Sequence, residues 1–191
     1  MEYHPVSRDK DAVARELLAL RCRRGDRAAL EELIHTWERP LLYFLRRLVR
    51  DEADAWDVLQ KTWVRVLKGI GSLGDPRSLA PWLYRVARNT AFSHARSLGP
   101  PHEPLQDHPD ACAADPAGGR AEFGDAEQVH QGLSSLSLAH REVLTLFFLE
   151  DLSVEEVAAV LGVPPGTVKS RLYYAKQALR KVLEGEAPHD E

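Results

Sequence analysis

The sequence is poor in several things that would have defined it quickly. It has two cysteines in 191 residues, Cys22 and Cys112, too few and too far apart for a disulfide framework. It opens on "MEYHPVSRDKDAV", which contains no apolar stretch of signal-peptide length. Its most apolar run, "VLTLFFL", is far too short to cross a bilayer. These absences point to a soluble, cytoplasmic protein with no membrane insertion. Strand signals are scarce too: there is little two-residue alternation, and neither Asn-Gly nor Asp-Gly occurs as a hairpin turn. No phosphate-binding glycine loop, nucleophile elbow or H-E-x-x-H pattern is found, which leaves no enzyme signature. Nor is there an overall basic charge. The formal net charge is −4, so any role with nucleic acid must come from local clusters.

What is present is helical periodicity, with 44% hydrophobic residues, ample for packed cores. The period predicts an all-α fold with helices near 10–24, 27–50, 52–68 and 77–97, then near 122–134, 139–149, 154–161 and 165–183. Pro40 falls inside the second of these, which predicts a kink or a break there. Between the two groups runs "GPPHEPLQDHPDACAADPAGGRAE", rich in Pro, Ala, Gly and Asp, with Arg120 as its only Lys or Arg. Such a stretch buries too little apolar surface to offset its ordering entropy. The expected layout is two small helical domains, 1–97 and 122–191, joined by a flexible acidic linker, 98–121.

Charge is distributed unevenly over that layout. From Arg77 to Arg96 there are four arginines and no acid, and from Gly162 to Leu183 five Lys or Arg and no acid. Acids gather instead in the linker and in "DEADAWD". Two basic helices on a tether suit a polyanion held at two places. A single charge run would be read as a solvated face.

The C-terminal domain carries the clearest motif. Ser153 and Glu156 form an S-x-x-E capping box opening "VEEVAAVL". Gly162 ends that helix, and Pro164-Pro165 suit the first turn of the next. A short helix, a glycine turn and a longer basic helix make a helix-turn-helix, whose second helix enters the major groove of DNA. At 100° per residue Val168, Leu172, Ala175, Leu179 and Val182 form a core stripe. Lys169, Ser170, Tyr173 and Tyr174 stand at the N-terminal end of the outer surface, where base edges are reached. Lys176, Arg180 and Lys181 suit phosphates, and Arg171, at the edge of the core stripe, suits a phosphate or an acid of its own domain.

In the N-terminal domain "PWLYRVARNTAFSHAR" interleaves Trp82, Tyr84 and Phe92 with Arg85, Arg88 and Arg96. Rings that stack on bases beside arginines that follow the backbone are what single-stranded DNA requires. Trp82, Val86 and Phe92 equally suit helix core, and for Trp82 alone the core reading is preferred. The preceding "GIGSLGDPRSLA" is a glycine-rich loop able to approach DNA or receive a flipped base.

Two stretches together resemble the RNA polymerase sigma factors of the sigma-70 family, in the extracytoplasmic-function (ECF) group. They are "DEADAWDVLQKTWVRVLK" with "PWLYRVARNTAFSHAR", and "LSSLSLAHREVLTLFFLEDLSVEEVAAVLGVPPGTVKSRLYYAKQALRKVL". The second is similar along its whole length, notably in "REVL", "LSVEEVA" and "GTVKSRL". The resemblance implies an N-terminal domain that binds the β′ clamp helices of core RNA polymerase through Asp54, Asp57, Gln60 and Trp63. It also implies opening of the −10 promoter element with Trp82, Tyr84, Arg85, Arg88 and Asn89, a flipped base being held by the loop from about Gly69 to Pro81. The C-terminal domain would read the −35 element through Lys169, Ser170, Arg171, Tyr173, Tyr174 and Lys176 while packing on the β flap. An anti-sigma factor as a further partner, an acidic linker directed toward the RNA exit channel, and no cofactor, metal or small-molecule substrate are also implied. Lys61 stands where the family commonly has an acid, and Tyr174 where many members are basic, which points to altered clamp contacts and an altered −35 preference. The chain ends eight residues after Leu183, so no additional C-terminal domain is expected.

A stand-alone helix-turn-helix regulator is the alternative. It explains residues 136–183 but leaves the aromatic-arginine helix without purpose, and it predicts a dimer on a palindrome. His102, His108 and Cys112 imitate a metal set but lack a fourth ligand. Cys22 reads as a small core residue.

Overall fold

The computed structural model describes residues 5–97 and 132–184, with side chains from residue 10 onward. They fall into two compact units, Met1–Gly99 and Pro100–Glu191. The linker, most of the helix expected near 122–134, and His102, His108 and Cys112 lie outside the described residues. Among the described residues every regular element is helical, and no helix is long and apolar enough to cross a membrane.

The first unit contains α1 (Pro5–Arg23), α2 (Arg27–Leu45), α3 (Glu52–Gly69) and α4 (Leu79–Ser97), with single 3₁₀ turns at Ile70–Ser72 and Pro76–Ser78. The helix starts are set locally. Asp26 caps α2 by accepting from the Ala29 N–H at 3.2 Å, and Asp51 caps α3 through the Asp54 N–H at 2.8 Å. α2 packs against the other three helices, burying Leu33, Trp37, Leu41 and Phe44 on one side.

Pro40 neither splits α2 nor ends it. The helix runs through it to Leu45, and stops short of the expected residue 50. Beyond Leu45 the N–H groups of Arg47 and Leu48 bond to Phe44 and Leu45, a tighter three-residue spacing that winds the chain down. Asp51 then turns extended, as an N-cap must. Cys22 is buried as expected, and that burial pushes its thiol pKa up.

The second unit contains α5 (Leu138–Leu144), which widens into a π-helical turn over Thr145–Leu149, then α6 (Val154–Leu161) and α7 (Pro165–Leu183). Arg141 organises its entry. The guanidinium donates to the carbonyls of Leu133, Ser134 and Leu136 at 2.9–3.0 Å, fastening the preceding turn to α5. α7 packs on both α5 and α6, burying Val168, Leu172, Ala175 and Leu179.

Candidate nucleic-acid interface

The helix-turn-helix of the second unit is built by its caps. Ser153 Oγ accepts from the Glu156 N–H at 3.2 Å, and the Glu156 carboxylate accepts from the Ser153 N–H at 2.8 Å. Gly162 adopts φ 71°, ψ 33°, the left-handed conformation that lets its N–H and that of Val163 both reach Ala158 O. Pro165 then occupies the first turn of α7, where no N–H is needed. The turn holds α7 with its core stripe inward and its outer face open.

That outer face matches the 100° reading in most positions. Lys169, Tyr173, Tyr174, Gln177, Arg180 and Lys181 are exposed, and Lys176 is half-buried. Tyr173 and Tyr174 meet edge to face, with ring centroids 5.3 Å apart, and are 42% and 41% exposed, an aromatic pair open in part to solvent. Ser170 is half-buried and its hydroxyl donates to Thr167 O at 3.0 Å. Arg171 is half-buried and acts on its own unit: burial first, then the Arg171 charge, lower the pKa of His140. Arg180 is paired with Glu184 at 2.7 Å on the surface.

In the first unit, α4 presents Arg85, Asn89 and Arg96 to solvent, with Trp82 and Phe92 half-buried on the same side. The Arg88 guanidinium lies 4.5 Å from the centroid of the Phe92 ring and so stays in place beside it. Trp82 rests on the end of α3, where a Cβ at Gly69 would come within 3.3 Å of its ring. The glycine-rich loop is anchored by buried Ile70 and Leu73 and by Asp75, which accepts from the Arg77 N–H at 3.0 Å, leaving Gly71 and Gly74 exposed.

Two of the expected site residues are corrected by burial. Tyr84 is 1% exposed, its ring meeting Trp37 and Phe44 edge to face at 5.9 and 5.3 Å, so it is core and unavailable to a base. Trp63 is buried as well, and its indole Nε1 is enclosed without a hydrogen-bond partner. Asp54 and Asp57 do not stand free. His94 of α4 reaches both, at 3.1 and 3.6 Å, and Lys61 pairs with Asp57, lowering its carboxylate pKa. The open side of α3 is instead Trp56, Gln60, Val64 and Leu67, with Trp56, Val64 and Leu67 between 42% and 52% exposed. Their spacing of four, four and three residues was available in the sequence as a second apolar stripe beside the core stripe.

These two surfaces define a DNA-binding protein with a helix-turn-helix in one unit and an aromatic-arginine helix in the other. The chain matches the model for Sigma-70 region 2 over residues 18–99 and that for Sigma-70 region 4 over residues 126–179. It is 33% identical over 180 residues to the RNA polymerase sigma-H factor of Pseudomonas aeruginosa, covering 87% of this chain and 92% of that one. It is 36% identical over 160 residues to the RNA polymerase sigma-E factor of Streptomyces avermitilis, covering 84% and 88%. Among solved structures, CnrH in complex with the cytosolic domain of CnrY shares the fold at TM-score 0.66 and 24% identity, over 91% of this chain and 99% of that one. The sigma factor RpoE in complex with the anti-sigma factor NepR from Bartonella quintana matches at TM-score 0.62 and 26% identity, over 81% and 96%. The chain belongs to the sigma-70 family of RNA polymerase sigma factors, in its ECF group. Its function is that of a sigma factor, which directs core RNA polymerase to promoters and helps to open them.

Proposed function

We propose that the two units divide promoter recognition, with 122–191 reading the −35 element as duplex and 1–97 docking on the polymerase and opening the −10 element, the acidic segment 98–121 joining them. The observation that carries this reading is the outer face of α7, largely exposed, aromatic at its middle and free of acids. A helix that only faces water needs polar residues, but not two adjacent exposed tyrosines. Lys169 and Tyr173 read base edges, with Tyr174 beside them; Lys176 and Lys181 meet phosphates, and Arg180 joins them once released from Glu184. In the first unit Arg85, Arg88, Asn89 and Arg96 follow the separated strand beside Trp82 and Phe92.

The polymerase-facing surface falls to Trp56, Gln60, Val64 and Leu67, because an exposed apolar stripe requires a partner more than carboxylates already engaged by His94 and Lys61 do. The half-buried Phe147 and Phe148 and the exposed Leu149 of the π-helical turn suit the β flap. A second exposed apolar stripe, Val13, Leu17 and Leu20 on α1, suits an anti-sigma factor, a partner present in the solved complex of the Bartonella quintana sigma factor. The protein acts in the cytoplasm, where the polymerase is, and contributes no catalysis of its own.

The test is co-elution of the purified chain with bacterial core RNA polymerase. The wild type co-elutes, Trp56→Ala with Val64→Ala weakens the complex by at least ten-fold, and Asp54→Asn with Asp57→Asn weakens it less. A dimer that shifts duplex DNA alone and ignores the polymerase would establish the stand-alone regulator instead.

A further inference from the structure

A third basic surface lies on α2, outside both regions described above. From Arg39 to Arg50 there are four arginines among twelve residues and no acid. Along α2 and its C-cap residue Arg46, the side chains His35, Arg39, Tyr43 and Arg46 recur every three or four residues, on the side opposite Leu33, Trp37, Leu41 and Phe44. His35, Arg39, Arg46 and Arg50 are exposed. The tight winding after Leu45 keeps Arg46, Arg47 and Arg50 at one end of the helix. Arg47 is held in place there: its guanidinium lies 4.9 Å from the Tyr43 ring centroid and donates to the Tyr43 hydroxyl at 3.1 Å. Asp51 caps α3, and Glu52 pairs with Arg46 at 3.9 Å on the open surface, where an exposed ion pair is weak and exchangeable.

We propose that this face is a third nucleic-acid contact, a grip on the sugar-phosphate backbone of promoter DNA separate from those of α4 and α7. The inference rests on the sigma-factor reading above. Three features favour nucleic acid over an acidic protein surface. All four cations are arginines, whose planar fork matches phosphate oxygens. A tyrosine pre-orients one of them. The acid-free pattern repeats that of Arg77–Arg96 and Gly162–Leu183, the two stretches already read as DNA-facing, in a chain whose net charge is −4. Such contacts position DNA without reading its sequence, so the face adds affinity equally to all promoters.

The experiment uses holoenzyme assembled from the full chain and bacterial core RNA polymerase. Binding of a labelled random-sequence duplex carrying a mismatched bubble is followed by fluorescence anisotropy across a salt series. The triple variant Arg39→Gln, Arg46→Gln, Arg50→Gln is expected to lower the slope of log K against log salt by about 0.9 for each duplex phosphate it no longer neutralises, roughly two to three in all. The matching triple lysine variant should restore the slope, because the slope counts charges. A control, Arg15→Gln, Arg23→Gln, Arg24→Gln, removes exposed cations of α1 and of the turn that follows it, and should leave the slope unchanged. An unchanged slope in the glutamine variant, or an equal fall in the control, overturns the proposal. So does a loss of affinity for core polymerase in the absence of DNA, which would make the face a protein contact. A wild-type chain that forms no holoenzyme overturns the sigma-factor reading itself, and this inference with it.

Discussion

Replacing Tyr84 by alanine separates a core ring from a stacking platform. The ring is 1% exposed and pairs edge to face with Trp37, at an interplanar angle of 74°, and with Phe44, at 85°. An aromatic side chain buries roughly 150–250 Å², worth about 4–6 kcal/mol at about 25 cal/mol per Å². The retained Cβ and partial collapse of the cavity reduce this, while each edge-to-face pair adds about 0.5–1.5 kcal/mol. The expected loss is therefore about 3–5 kcal/mol, a large part of the roughly 5–15 kcal/mol that stabilises an ordinary domain. The assay is available in the chain itself. All four tryptophans, Trp37, Trp56, Trp63 and Trp82, lie in the Met1–Gly99 unit, so urea unfolding followed by tryptophan fluorescence reports this unit alone. A lower midpoint at unchanged slope is expected, and Arg85→Ala, one residue away on the exposed face, should stay within about 0.5 kcal/mol of wild type. If Tyr84→Ala kept the wild-type midpoint and lost only single-stranded DNA binding, the packing argument would be refuted and the ring would belong to the interface.

Other consequences can be checked in the second unit. Ser153→Ala removes one half of the capping box and should cost about 1 kcal/mol, read as faster amide exchange over Val154–Leu161. Gly162→Ala should cost about 1–2 kcal/mol from the left-handed backbone alone, since no atom lies within 4 Å of the new Cβ, and Gly162→Asn should cost less; equal losses would mean that side-chain bulk matters there. His140 has its pKa lowered by burial and by the Arg171 charge, so the unfolded chain takes up the proton first as pH falls. The unit should accordingly be most stable above about pH 6.5 and lose stability as pH falls below it, and His140→Gln should flatten that dependence in amide exchange over Leu138–Leu144. Lys169→Ala or Tyr173→Ala should cost roughly 1–3 kcal/mol and relax base preference at the upstream element, whereas Lys181→Ala should weaken all promoters equally and lower the salt slope by about one. Equal loss on every promoter for Lys169→Ala would make it a phosphate contact.

The sequence by itself determined the helix-turn-helix in detail. α6 and α7 occupy residues 154–161 and 165–183 as read, because their signals are local: a capping box, a left-handed glycine and a proline in a first turn act within four residues of themselves. The inward stripe of α7 followed for the same reason, since helical period alone places Val168, Leu172, Ala175 and Leu179 together. Only the tertiary structure decided which of two adjacent faces is covered. Tyr84 is interleaved with arginines, but α2 supplies Trp37 and Phe44, at least forty residues away in sequence, to enclose it. Asp54 and Asp57 are acidic and suit a surface, yet His94 comes from the far end of α4 to hold them, which leaves the α3 stripe of Trp56, Val64 and Leu67 as the open face. Pro40, a local breaker, is carried inside a continuous helix. Capping and periodicity are short-range and readable along the chain. Burial depends on which distant helix arrives, and no single helix encodes it.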